Sequence, residues 1–158
     1  MFKITTGEMA PDFTLPTDSD GTFTLSENNG AMTVLFFYPK DDTPGCTKEA
    51  IGFTEKLAEF EKLGVRIAGV SPDPVKKHEK FRNKHDLKVI LVADEEKTAL
   101  EAYGVWVEKS MYGRTYMGVE RTTFLIDGSG KIAKAWHKVK VAGHVEAVLE
   151  AAKEMAEQ

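Results

Sequence analysis

The run Met32-Thr33-Val34-Leu35-Phe36-Phe37-Tyr38 constrains the fold more than any other part of the sequence. It is almost wholly apolar, rich in β-formers, and stopped by Pro39. A strand of that kind is covered on both faces, because a half-solvated strand alternates apolar with polar residues. The chain must therefore supply layers on either side of a sheet. At 158 residues it can do so, and one domain spanning 1–158 is expected.

The segments that follow alternate between helix-like and strand-like patterns. After a loop over 40–45, Ala50, Phe53, Leu57 and Phe60 recur at spacings of three and four, which predicts a helix with one apolar face. Gly64 stands where a left-handed cap ends such a helix. Val65 to Val70 reads as a second buried strand, closed by Ser71-Pro72. A polar helix is expected from Pro74 to about His85, with the proline in its first turn. Val89 to Val92 predicts a strand, and Lys97 to Tyr103 a short helix stopped by Gly104. Arg121–Ile126 and Lys131–Trp136 flank Asp127-Gly128-Ser129-Gly130, the pattern of a β-hairpin. A last helix from about Gly143 carries the stripe Val145, Val148, Leu149, Ala152 and Met155. Near the start, Phe13–Pro16 and Thr22–Leu25 flank Asp20-Gly21 and predict a smaller hairpin. The whole reads as α/β with a central mixed β-sheet flanked by helices and an N-terminal β-hairpin. Val107 to Val119 reads as a mobile loop or strand that helps to shape substrate access.

Charge and cysteine usage narrow the function. The net charge is −4, with basic residues scattered, so no nucleic-acid partner is expected. No apolar run approaches a membrane span, and the first residues do not continue into the apolar core of a signal peptide. The expected location is cytoplasmic, where thiols stay reduced. One cysteine excludes an internal disulfide, a Cys-x-x-Cys pair and a zinc site built on cysteine pairs. His78, His85, His137 and His144 are read as surface residues, and no metal is expected. Trp106 and Trp136 are read as packing residues. No motif for a cofactor is present, and none is expected.

The chemistry concentrates in Pro39-Lys40-Asp41-Asp42-Thr43-Pro44-Gly45-Cys46-Thr47. It lies at the carboxyl end of the central strand, where open α/β sheets place ligand sites. Thr43 suits the N-cap of the following helix, and Pro44 suits its first position. Cys46 then falls in the first turn, where unpaired N–H groups and the helix dipole favour an anion such as a thiolate. Gly45 lets a small substrate approach the backbone. The adjacent charges do not help: Lys40 and Lys48 are offset by Asp41, Asp42 and Glu49. An activating cation must come from elsewhere in the chain.

This segment resembles the active-site motif of the peroxiredoxins, Pro-x-x-x-Thr-x-x-Cys, here Pro39, Thr43 and Cys46. Thr-Pro-Gly-Cys-Thr is similar to the bacterioferritin-comigratory-protein (PrxQ) subfamily in particular. The resemblance extends along nearly the whole chain: Gly7 to Pro16, Leu35 to Pro39, Val70-Ser71, Arg121 to Asp127 and His144-Val145 match in order. It implies a thioredoxin-like fold and a thiol-dependent peroxidase. Cys46 would attack the peroxide O–O bond and become a sulfenic acid. Arg121 would supply a fixed positive charge, and Thr43 would offer its hydroxyl to thiolate and peroxide. Backbone N–H groups around Gly45 and Cys46 would complete the cradle, with Pro44 also lining the substrate site, and Pro39 would wall off the site and limit water.

The sequence departs from the subfamily at one position. Many members carry a second, resolving cysteine five residues after the first, and here that residue is Ile51. The resemblance then implies a single-cysteine enzyme, acting on hydrogen peroxide and organic hydroperoxides as a monomer. Its reductant would be an external thiol, either thioredoxin or glutathione with glutaredoxin. The alternatives are a peroxide sensor or thiol relay that oxidises a partner protein, and a holdase chaperone with an incidental thiol.

Overall fold

The computed structural model describes residues 4–18, 21–28 and 30–157. A short antiparallel pair, β1 (Thr14–Pro16) and β2 (Thr22–Thr24), precedes the apolar strand β3 (Met32–Phe37). Next come α1 (Pro44–Lys62), β4 (Val65–Ser71), α2 (Val75–His85), β5 (Ile90–Ala93) and α3 (Thr98–Ala102). Then follow β6 (Trp106–Met111), β7 (Arg114–Val119), β8 (Thr122–Ile126), β9 (Ile132–Trp136) and α4 (His144–Ala156).

The main sheet has the order β5-β4-β3-β8-β9. β3 pairs in parallel with β4 and antiparallel with β8, so the apolar run is the centre of a mixed sheet. Its side chains alternate between two cores. Val34, Phe36 and Tyr38 pack with Ala50, Phe53 and Phe60 of α1, Phe81 of α2 and Val148 of α4. Leu35 and Phe37 pack with Phe23, Ala99, Leu100 and Tyr103 instead. Burial on both faces explains the lack of polar alternation in this strand.

One close contact seats the helix that carries Cys46. The Phe36 ring lies where a Cβ on Gly69 of β4 would stand, 2.5 Å from its Cζ. From there Phe36 stacks on Phe53 of α1, with ring centroids 4.8 Å apart. At its far end α1 stops at Gly64, whose φ of +76° is the left-handed value expected there.

Three local expectations are decided. Of the loop or strand expected from Val107 to Val119, the strand is found, as an antiparallel hairpin with Trp106 opposite Val119 and Met111 opposite Arg114. Its turn is Tyr112-Gly113, both at positive φ (53° and 78°). Tight hairpins need such angles, but the usual signal is Asn-Gly or Asp-Gly, and tyrosine conceals it. Pro74 stands just before α2 in an extended conformation, not in its first turn. The N-terminal hairpin is present as β1 and β2, although Asp20 of its expected turn lies outside the described residues. Among the described residues no helix is long and apolar enough to cross a membrane.

Candidate active site

Cys46 is the third residue of α1 and is 1% exposed. Thr43 occupies the N-cap position and Pro44 the first helical position, as the sequence suggests. The first helical bond runs from the Thr47 N–H to the Thr43 carbonyl at 2.9 Å. The N–H groups of Gly45 and Cys46 lie ahead of it, in the turn where helices favour anions.

Thr43 differs from expectation in one respect. Its side chain does not cap the helix; the hydroxyl donates to the Lys40 carbonyl at 2.8 Å. With its proton engaged there, Oγ1 retains lone pairs and acts as an acceptor. Pro39 is half-buried directly after the central strand, and Pro44 is exposed.

Arg121 stands between β7 and β8 and reaches the first turn of α1. Nη2 donates to Cys46 Sγ at 3.3 Å, and Nη1 donates to Glu49 Oε1 at 2.7 Å. One guanidinium fork thus spans residues three apart on one helix face. Gly45 makes room for it: a Cβ there would stand 3.0 Å from Arg121 Nη2. The glycine therefore admits the arginine, whatever further space it leaves for substrate. Burial opposes the charge on Arg121, but Glu49 and the Cys46 sulfur outweigh it and raise its pKa.

Glu49 is the residue that charge counting misjudged. It is fully buried beside the guanidinium rather than a solvated offset to the lysines. The signal lay in the apolar stripe: carried backward from Phe60, Leu57 and Phe53, it reaches Glu49 and Cys46 at the same helical spacing. Burial pushes the Glu49 carboxyl up to about 7, against the opposing pull of Arg121. Its second oxygen, Oε2, has no hydrogen-bond partner and lies 3.9 Å from His144 Nε2.

Two histidines are likewise buried, contrary to the surface assignment. His144, the first residue of α4, lies 2.8 Å from the Thr123 hydroxyl through Nε2. Burial, helped by the Arg121 charge, pushes its pKa down to about 4, so it is neutral at pH 7. His78, on α2, is fully buried against Asp41. The signal was again helical spacing: His144 stands four residues before Val148 on the buried stripe of α4, and His78 three before Phe81 on α2. His85 and His137 are partly exposed. Among the described residues no group of three or more His, Cys, Asp or Glu side chains is arranged to hold a metal ion.

Glu49 and His144 give the site a pH signature. Between about pH 4.5 and 7 the unfolded chain ionises Glu49 while the folded chain keeps its proton, so this carboxyl makes stability fall as pH rises. Between about pH 4 and 6.5 the unfolded chain protonates His144 while the folded chain does not, so the imidazole makes stability rise with pH. The two slopes oppose each other across nearly the same window. Glu49→Gln removes only the falling one. Relative to wild type, this variant should therefore become more stable as pH rises from 4.5 to 6.5. Urea midpoints at the two pH values measure it, and a difference that does not change with pH would contradict it.

Comparison with known proteins follows the same lines. Residues 6–135 match the model of the AhpC/TSA family. The chain belongs to that family. It is 47% identical over 152 residues to Peroxiredoxin Bcp of Bacillus subtilis, covering 96% of this chain and 97% of the relative. A structure of the Xanthomonas campestris bacterioferritin comigratory protein, described for its alkyl peroxide reduction activity, superposes with a TM-score of 0.87. That match has 44% identity and covers 91% of this chain and 92% of the other. A cysteine-to-serine mutant of Xylella fastidiosa PrxQ superposes with a TM-score of 0.93 at 36% identity, covering 99% of both chains. The chain is thus a peroxiredoxin of the Bcp/PrxQ kind, with a thioredoxin-like fold and the activity of a thiol-dependent peroxidase. It has a single cysteine, and Ile51 in α1 packs against the core around Phe53.

Proposed function

We propose that Cys46 is the peroxidatic nucleophile of a single-cysteine peroxiredoxin acting on hydrogen peroxide and organic hydroperoxides. The observation that carries this reading is the 3.3 Å contact from Arg121 Nη2 to Cys46 Sγ, in a first helical turn shielded from water. A fixed guanidinium and helix N–H groups bring positive charge to the sulfur, where the attacking species is an anion. Thr43 Oγ1, its proton held by Lys40, accepts the O–H of the hydroperoxide and turns that oxygen toward sulfur. The S–O bond forms as the O–O bond breaks, and the negative charge departs on the alkoxide or hydroxide, which takes a proton from solvent. Arg121 and the N–H groups of Gly45 and Cys46 stabilise that developing charge, Glu49 holds the guanidinium in place, and Pro44 and Pro39 bound the pocket.

The sulfenic acid that results is returned to the thiol by an external thiol, with thioredoxin and glutathione–glutaredoxin as the two candidate systems. The lone cysteine supports this, since no second sulfur in the chain can form a disulfide with it. It also suits a reducing cytoplasm. We take residues 1–158 as one domain that acts as a monomer. The test is peroxide consumption by the wild-type protein with each reductant in turn. Sustained turnover with one of them is expected; no consumption with any thiol would sink the assignment.

A further inference from the structure

The segment between β3 and α1 is held from below by a buried polar array. Tyr38 donates its hydroxyl to Asp41 Oδ1 at 2.6 Å, and His78 Nδ1 lies 2.6 Å from Asp41 Oδ2. His78 Nε2 lies 3.0 Å from the Val92 carbonyl. Both ring nitrogens face acceptors, an arrangement that favours the doubly protonated ring. Burial opposes that charge, but the Asp41 contact outweighs it and raises the His78 pKa. Asp73, at the end of β4, adds a second anchor. Its Oδ2 accepts the Asp41 N–H at 2.7 Å and the Ser71 hydroxyl at 2.8 Å, and Lys77 Nζ lies 3.9 Å from its Oδ1.

These contacts converge on a single peptide group. The N–H of the Lys40–Asp41 peptide donates to Asp73, and the C=O of the same peptide accepts the Thr43 hydroxyl. A peptide unit is planar, so fixing its N–H also fixes the direction of its carbonyl. That direction decides where the Thr43 proton points, and hence where the Thr43 lone pairs are aimed. We infer that Asp73, oriented by Ser71, is a positioning residue for the peroxide reaction, acting on Thr43 through the Lys40–Asp41 peptide. The inference rests on the reading above, in which Thr43 Oγ1 receives the hydroperoxide. It sets Asp73 apart from Arg121, which touches the sulfur, and from Glu49, which acts through Arg121.

A double-mutant cycle with two readouts tests it. The readouts are the second-order rate constant of reduced protein with hydrogen peroxide and the rate of Cys46 alkylation by iodoacetamide. Asp73→Ala should lower the peroxide rate roughly tenfold, since small misplacements of a positioning group have effects of this size. Alkylation, which does not use Thr43, should stay within about twofold of wild type, and so should the peroxide rate of Asp73→Asn, which retains an acceptor oxygen. In a Thr43→Val background, Asp73→Ala should add no further loss. If Asp73→Ala does not fold, Ser71→Ala replaces it, with a loss of roughly threefold that Thr43→Val again abolishes. Losses that multiply across the cycle, or an equal fall in alkylation, would overturn the role of Asp73 alone. A Thr43→Val protein as fast as wild type would overturn that role together with the one given to Thr43.

Discussion

Cys46→Ser should abolish peroxide consumption with every thiol while leaving the fold in place. Serine is close to cysteine in shape, and the site is 1% exposed, so packing changes little. The hydroxyl keeps its proton at neutral pH, and no other thiol exists in the chain to take over. The reaction loses its nucleophile, and the loss should exceed roughly 10³-fold, down to the uncatalysed background. The variant also separates the competing functions. A holdase would retain its activity in Cys46→Ser. A sensor would show one peroxide consumed per wild-type chain and then stop, whereas an enzyme continues while reductant lasts. Residual turnover in the serine variant with a thiol present would contradict the role given to Cys46.

Arg121→Gln should have the second-largest effect, a fall of roughly 10²–10³-fold in the rate constant with hydrogen peroxide, the usual cost of one preorganised charge stabiliser. Two contributions combine. The sulfur loses the cation that lies 3.3 Å away, and the departing oxygen loses a donor aimed at its developing charge. Arg121→Lys should recover little, because a single ammonium cannot span Cys46 Sγ and Glu49 Oε1 as the planar fork does. Competition against a haem peroxidase for limiting hydrogen peroxide gives the rate constant directly. A glutamine variant within threefold of wild type would show that the helix terminus alone sustains the reaction.

How much of this was legible in the sequence depends on whether a local pattern carried it. The central strand, the helix after it and the Gly64 stop could be read because apolar periodicity and a left-handed cap are local. So could the placement of Cys46 in a first helical turn, from Thr43 and Pro44. Arg121 was visible only through family resemblance, since nothing near it in sequence distinguishes it from a surface arginine. Glu49 was misread because charge was counted along the chain, whereas its environment is set by the helix face it shares with Phe53. His78 and His144 escaped notice because their partners, Asp41 and Thr123, stand far away in sequence and are brought close by the sheet. The β6–β7 stretch could be read only as loop or strand, because its strands are largely solvated and its turn is Tyr-Gly.

A buried thiol with no second cysteine in its chain also fixes the kinetic order of recovery. Once oxygen has been transferred to Cys46, no unimolecular step within the protein can return the sulfur to its thiol. Each return to the thiol requires a collision with a reducing molecule, so the lifetime of the oxidised form varies inversely with the abundance of that molecule. The same lifetime is the interval during which a further peroxide can drive the sulfur on to its sulfinic acid. The balance between rescue and irreversible loss is therefore set by the ratio of thiol to peroxide in the surroundings.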